Sequence, residues 1–190
     1  MNGRGNGYQK MSNIVEYKLQ SDIVKMCEVF SSKVIHTNAD EYYRRKQSDL
    51  EKIWNDIFYG KLAEWGVYFI YLERERTNID PPDMRIYCTK DKSFDPDLRY
   101  GLFNIHVKSQ TYESAEKFGD SWMFQSKDPL LVQPNEYDIL IGCRVLLSDR
   151  DKTAMVKIKL EKPFMNLVIG EPRLSKFVGS KKTIYLKDNL

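Results

Sequence analysis

The N-terminal half of the chain has apolar residues at helical spacing in two stretches. The first runs from Ile14 to Val34 and predicts a helix with an irregular apolar face. The second follows Asn38-Ala39-Asp40, and its apolar residues recur from Leu50 to Leu72, which predicts a helix with one broad apolar stripe. Gly60 is the point at which this helix would bend or split. Glu64 lies beside the stripe, where a carboxylate can reach a neighbouring sheet.

Short apolar or alternating runs predict β-strands in the rest of the chain. Pro81 and Pro82 end the helical region, and strands are expected at residues 84–88, 98–110, 137–147, 153–160 and 184–186. The run 137–147 is apolar almost throughout, as in the interior of a sheet, whereas 153–160 alternates and is typical of an edge or one-sided strand. Ala115, Phe118 and Trp122 fall on one side of another predicted helix. This order predicts an α/β fold with a mixed central β-sheet flanked by helices.

The amino-acid composition of the chain indicates which class of protein it belongs to. The chain of 190 residues is 42% hydrophobic, which indicates one globular domain over residues 13–190, after a Gly- and Asn-rich, flexible tail at 1–12. That tail lacks the apolar segment of a signal peptide, and no run is long enough to span a bilayer, so no membrane association is expected. The three cysteines are widely spaced, which argues against a disulfide framework or a zinc site and favours a reducing, cytoplasmic compartment.

The chemistry-bearing residues gather on the strand predicted at 98–110. Because side chains alternate along a strand, Asn104, His106, Lys108 and Gln110 share one face. Asp97 precedes a bend near Tyr100-Gly101 that would return its carboxylate towards the strand. Hydrolysis of a phosphodiester needs an activated water and positive charge for the developing oxyanion. Asp97, Lys108 and Glu64 are residue types suited to that work, and His106 is suited to metal ligation or to general-base catalysis.

Pro96-Asp97, followed after eight residues by His106-Val107-Lys108, resembles the motif of the PD-(D/E)xK nuclease superfamily. Residues 60–65 resemble the glutamate-bearing helix of that family, and Gln110 matches a polar residue often found just beyond the lysine. The resemblance covers residues 40–160. It implies a restriction-endonuclease-like core that cleaves DNA with Mg²⁺ or Mn²⁺, held by Asp97, Glu64 and His106. Lys108 would then position the attacking water or neutralise charge.

One residue departs from the family pattern. His106 stands where the triplet has an acidic residue, and Mg²⁺ prefers oxygen ligands to imidazole nitrogen. Three outcomes are open: His106 acts as a third ligand or a base, the preferred metal shifts towards Mn²⁺, or the site is inactive and the fold serves for binding. Asp83, after Pro82, is an alternative acid for the metal, although a role at a turn is commoner for such a residue.

The charge distribution points to nucleic acid as the partner. Residues 151–190 hold nine basic and four acidic residues, so this segment is more basic than the whole chain, whose net charge is +3. Lys157, Lys159, Lys181 and Lys182 are expected to contact the phosphate backbone, although solvated lysines on a surface sheet fit equally well. A duplex-cutting member of the family would act as a homodimer, and the size fits a prokaryotic or phage-encoded nuclease by analogy. A non-catalytic nucleic-acid-binding protein and a structural or interaction protein are the alternatives.

Overall fold

A computed structural model describes residues 14–44, 49–88 and 95–190; the predicted tail at 1–12 lies outside this range. The chain folds as a mixed α/β protein. Its four α-helices are α1 (Ser21–Arg44), α2 (Leu50–Glu73), α3 (Tyr112–Phe118) and α4 (Pro129–Val132). Its strands are β1 (Glu16–Leu19), β2 (Leu98–Tyr100), β3 (Phe103–Thr111), β4 (Ser121–Gln125), β5 (Asp138–Ser148), β6 (Thr153–Pro163) and β7 (Lys181–Tyr185). No helix among the described residues has the length and apolar character needed to cross a membrane.

Five strands form one mixed sheet in the order β1-β6-β5-β3-β2. The neighbours β3 and β5 are parallel, and the other pairs are antiparallel. The prediction that residues 137–147 form an interior strand is confirmed, because β5 lies between β6 and β3. For residues 153–160, the edge alternative is wrong, because β1 pairs with the outer side of β6. The one-sided alternative is confirmed, because alternate residues from Ala154 to Leu160 are buried. A second, two-stranded sheet pairs β4 with β7.

The five-stranded sheet is covered on both faces. One face packs against α1 and α2, with Ile105 of β3 and Val67 of α2 in the same buried cluster. The opposite face packs against β4, β7 and the turn at Phe164–Asn166, and its buried cluster includes Leu140 and Trp122. Side chains that neighbour one another along β3 therefore enter two different cores.

The first predicted helix is wrong over its first residues. Residues 16–19 pair with β6 as β1, and α1 begins only at Ser21, with Asp22 in its first turn. Leu19 is fully buried, whereas Glu16 and Lys18 are exposed. This period-two alternation over four residues was masked by the longer helical pattern that follows. The second predicted helix is confirmed from Leu50 onwards, but its predicted start after Asp40 is wrong, because residues 38–44 belong to α1. Helix α2 runs without interruption through Gly60.

Turns explain most of the remaining differences between the predicted and the observed helices and strands. The strand predicted at 98–110 is divided into β2 and β3 by a turn at Gly101, whose φ is +57° and therefore favours glycine. The helix predicted through Trp122 ends at Phe118, because Gly119 takes φ +76° and residues 121–125 then form β4. Residues 84–88 form no strand, which corrects the prediction that Asp83 opens one.

Two glycines allow a matched test of this packing. The indole ring of Trp122 covers Gly142 so closely that a Cβ there would lie 2.5 Å from ring atoms, whereas a Cβ on Gly60 would meet nothing within 4 Å. We expect Gly142→Ala to lower the free energy of unfolding by about 1–3 kcal/mol, because the ring or the strand must shift. Gly60→Ala should raise it by up to about 1 kcal/mol, because alanine favours the helix. Urea denaturation of both variants checks the pair, and equal stabilities would contradict this packing.

Candidate functional site

The candidate site surrounds the outer edge of β3. The edge strand β2 pairs with β3 only from Phe103 to Ile105, so within the described residues no strand covers β3 from His106 onwards. Asp97, just before β2, fills the next position: its carboxylate Oδ2 accepts a hydrogen bond from the backbone amide of Val107 at 2.7 Å. The predicted bend is present and returns Asp97 to this strand, but to its backbone edge rather than to the face that His106 and Lys108 share. The carboxylate lies beside the centre of the His106-Val107-Lys108 triplet.

Glu64 reaches the same region from α2. Its side chain is buried, and its Oε2 accepts a hydrogen bond from the Lys61 ammonium at 2.5 Å, one helical turn away. Burial and the negative charge of Asp97 raise the pKa of Glu64 to about 8, although the Lys61 charge acts in the opposite direction. The negative charge of Asp97, from outside α2, thus acts on the buried Glu64 carboxyl. That the two residues share one site stays a prediction.

Asp83, the alternative acid, also acts on Glu64, but its carboxylate oxygens already accept hydrogen bonds from neighbouring residues. The Arg85 guanidinium donates to both of its oxygens, and the Tyr87 hydroxyl donates to Oδ2 at 2.6 Å. The hydrogen bonds from Arg85 hold the pKa of Asp83 well below its usual range, and the negative charge of Asp83 adds to the raised pKa of Glu64. Asp97 receives only the Val107 amide from the described residues, so it has more capacity for a further ligand.

His106 turns away from the two carboxylates. Ile105 and Val107 pack towards α2, so the alternation of the strand directs His106 to the opposite face of the sheet. There its Nε2 lies 3.3 Å from Oδ1 of Asp138, the first residue of β5. Asp138 is buried and also accepts hydrogen bonds from the Asn104 side chain at 2.9 Å and the Asn135 amide at 2.7 Å. The structure therefore does not place His106 with Asp97 and Glu64.

Lys108 and Gln110 lie on the same face as His106 but have different surroundings. The Lys108 ammonium lies 4.6 Å from the centroid of the Phe124 ring on β4. Gln110 is buried, and its amide donates to the Gly119 carbonyl at 3.1 Å and accepts from the Ser121 amide at 3.1 Å. Gln110 thus holds the connection between α3 and β4, and its amide oxygen is already engaged.

The four lysines predicted to bind nucleic acid have different surroundings. The pKa of Lys181 is lowered by partial burial and then by the positive charges of Lys52 on α2 and Lys108 on β3. Lys182 forms an ion pair with Glu171, and Lys157 pairs with Glu16 at 3.0 Å. Lys159 lies at a β-bulge of β6 and is not opposite any residue of β5, because Ile158 pairs with Cys143 and Leu160 with Gly142.

Sequence reasoning missed two residues of these networks. Lys61 stands three residues before Glu64, a spacing that places both side chains on one helical face. Asp138 opens the apolar run of β5, and a lone acid at the start of a buried strand is a signal for a satisfied polar network. The spacing of Lys61 and Glu64 indicates their pairing, whereas the partners of Asp138 on β3 depend on the parallel register of β3 and β5, which is a tertiary feature.

Comparisons with protein-family models, with curated proteins and with solved structures found no match to this chain. Within the described part of the chain, no group of three or more His, Cys, Asp or Glu side chains is arranged to hold a metal ion.

The raised pKa of Glu64 predicts a specific pH dependence of stability. A carboxyl whose folded-state pKa is about 8 binds its proton more tightly in the folded than in the unfolded chain. Its contribution to stability is therefore full at acidic pH and is lost as the pH rises towards and through 8. Between pH 5 and 9 in EDTA, we expect the free energy of unfolding of the wild-type protein to fall more steeply with pH than that of Glu64→Gln. The two slopes should differ by about 1 kcal/mol per pH unit over part of this range. Urea titrations at several pH values measure this, and parallel profiles would contradict the assignment.

The Asp138 network predicts a loss of stability on substitution. In Asp138→Asn, an amide group replaces one acceptor oxygen and faces donors from Asn104, Asn135 or His106. We expect the free energy of unfolding to fall by about 1–3 kcal/mol. Asp149→Asn is the control, because its side chain is 90% exposed. Thermal denaturation compares the two, and an unchanged Asp138→Asn would show that the network does not stabilise the fold.

Proposed function

We propose that this protein is a metal-dependent nuclease that hydrolyses phosphodiester bonds in DNA, on a restriction-endonuclease-like core. One observation carries the proposal. The Asp97 carboxylate is bonded to the central amide of the His106-Val107-Lys108 triplet, and its charge acts on the buried carboxylate of Glu64. This is the juxtaposition of helix glutamate, strand-start aspartate and lysine-bearing strand that the family resemblance implies.

The order of elements gives further support. Helix α2 carries Glu64 and precedes the β2–β3 hairpin, while α3 leads from β3 towards β5, which lies parallel to β3. The resemblance implies the same sequence of helix, acid-bearing strand, lysine-bearing strand, helix and strand. Among the described residues, no strand pairs with the outer edge of β3 at the triplet, where the Asp97 carboxylate bonds the Val107 amide instead.

The residues present fit a hard divalent cation with two protein ligands. Glu64 and Asp97 supply oxygen donors from two elements, and their mutual repulsion would be relieved by a doubly charged ion. Mg²⁺ is commonly held by one or two carboxylates, with water and substrate phosphate completing its shell. We propose Glu64 and Asp97 as the ligands of Mg²⁺ or Mn²⁺, without His106. When bound, the ion would activate water and stabilise charge on the phosphate.

Lysine side chains would bind the phosphate. The positive charges of Lys52 on α2 and Lys108 on β3 both act on Lys181 of β7, which supports a shared phosphate-binding role for the three ammonium groups. Lys108 is partly buried against Phe124, which limits its hydration and strengthens its interaction with an anion. In this proposal Lys108 neutralises charge that develops on the phosphate, while Lys181 and Lys52 hold the backbone. Two copies of the chain would be needed to cut both strands of a duplex.

A second candidate is a non-catalytic nucleic-acid-binding protein on the same fold. The hydrogen bonding of His106 and Gln110 favours it, because His106 faces Asp138 and the Gln110 amide is engaged by the α3–β4 connection. His106, expected as a metal ligand, and Gln110, expected at the catalytic site, are thus held by structural partners. The lysine cluster at Lys181 would still serve such a protein, since backbone binding needs only positive charge.

Cleavage of supercoiled plasmid tests the first proposal. We expect nicking or linearisation in Mg²⁺ or Mn²⁺ but not in EDTA, with linear product indicating paired sites. Asp97→Ala, Glu64→Gln and Lys108→Ala should each lower the rate by at least about 100-fold, because each removes a group that acts on the reacting phosphate or its ion. Asp149→Ala and Lys152→Ala are matched controls from an exposed ion pair on the β5–β6 turn.

An inactive wild-type protein, on DNA and on RNA with both metals, would overturn the nuclease proposal. Binding measured in EDTA would then decide the second candidate. Affinity that falls steeply with salt and weakens in Lys181→Ala would support a binding protein. Absence of salt-sensitive binding would reject both candidates and leave a structural or interaction protein.

A further inference from the structure

A buried ion pair adjoins the proposed cation site. The Lys61 ammonium lies 2.5 Å from Oε2 of Glu64, and the exposed fractions of the two side chains are only 16% and 10%. The other charge identified near Glu64 is negative, because both Asp97 and Asp83 act to raise its pKa. Among the described residues, Lys61 is the cation that is hydrogen-bonded to Glu64, whereas Arg85 pairs with Asp83.

The same carboxylate oxygen cannot fully serve an ammonium group and a metal ion. We infer that Lys61 occupies the charge position of the metal in the metal-free protein and sets the affinity of the Glu64–Asp97 site for a divalent cation. This inference rests on the proposed cation site. It assigns to Lys61 the role of a competitor for Glu64, which must release the carboxylate when the ion binds.

The surroundings of Lys61 give its ammonium a second position. The Nζ atom lies 5.2 Å from the centroid of the Phe30 ring on α1, so the aromatic face can retain the charge after it leaves Glu64. The lysine stem has four rotatable bonds and permits this shift without movement of α2. The Lys61 ammonium thus has two partners: the Glu64 carboxylate, for which it competes with a metal ion, and the Phe30 ring, for which it does not.

The sign of the effect follows from the charges exchanged. A divalent ion that displaces a proton from Glu64 brings two positive charges where one stood before, so a nearby ammonium opposes the exchange. Removal of Lys61 therefore favours the ion, whether Glu64 is initially protonated or ionised. Lys61→Met removes the charge and keeps an apolar stem against Phe30, whereas Lys61→Arg keeps the charge.

Mn²⁺ binding to the full chain tests the inference. Electron paramagnetic resonance of free Mn²⁺ and calorimetry should show a dissociation constant about tenfold or more lower for Lys61→Met than for wild type. Lys61→Arg should remain close to wild type. Lys52→Met is the matched control, because Lys52 pairs with Asp56 on the same helix at 2.6 Å but both side chains are exposed. Lys61→Gln serves as a second neutral variant if Lys61→Met folds poorly.

The outcomes separate this inference from the proposed function. Equal Mn²⁺ affinity in wild type, Lys61→Met and Lys61→Gln, with binding lost in Asp97→Ala, would overturn the role of Lys61 and leave the cation site standing. Absence of Mn²⁺ binding in every variant would overturn both. Binding that tightens in Lys61→Met and Lys61→Gln, and weakens in Asp97→Ala, would support both.

Discussion

The candidate site depends on the unpaired edge of β3. Because β2 ends its pairing at Ile105, the next outward-facing amide, that of Val107, is bonded by the Asp97 carboxylate instead of a strand. This contact brings an acid to the centre of the triplet, and the packing of α2 on the same sheet brings Glu64 to that acid. A longer β2 would pair with the edge and displace the carboxylate.

The alternation of side chains along β3 divides the polar residues into two networks. Ile105 and Val107 enter the core beneath α2, so His106, Lys108 and Gln110 face β4 and β7. His106 is held by Asp138, and Gln110 is held by the α3–β4 connection. Among the described residues, the edge of β3 that no strand pairs lies between the two faces, and the charges of Lys52 on α2 and Lys108 on β3 both act on Lys181 of β7.

Electrostatics gives the carboxylate pair its chemical character. A buried acid beside another acid is costly to ionise, and one ammonium group only partly offsets that cost, as the raised pKa of Glu64 shows. Such an arrangement weakens the metal-free protein as Glu64 ionises and favours an added cation. The loss of stability on ionising Glu64 is therefore located at the position where the proposed function needs affinity for a divalent cation.

The sequence alone determined α2 from Leu50 onwards, β5 and β6 as elements, because their apolar patterns are long. The last strand was predicted too late, at 184–186, whereas β7 covers Lys181–Tyr185. The sequence also indicated that Glu64 borders a buried face. The tertiary structure decided the pairing of β1 with β6, the orientation of His106 towards Asp138, and the burial of the Lys61–Glu64 pair. These features depend on strand register and on which face of the sheet each core covers, and a local sequence pattern contains neither.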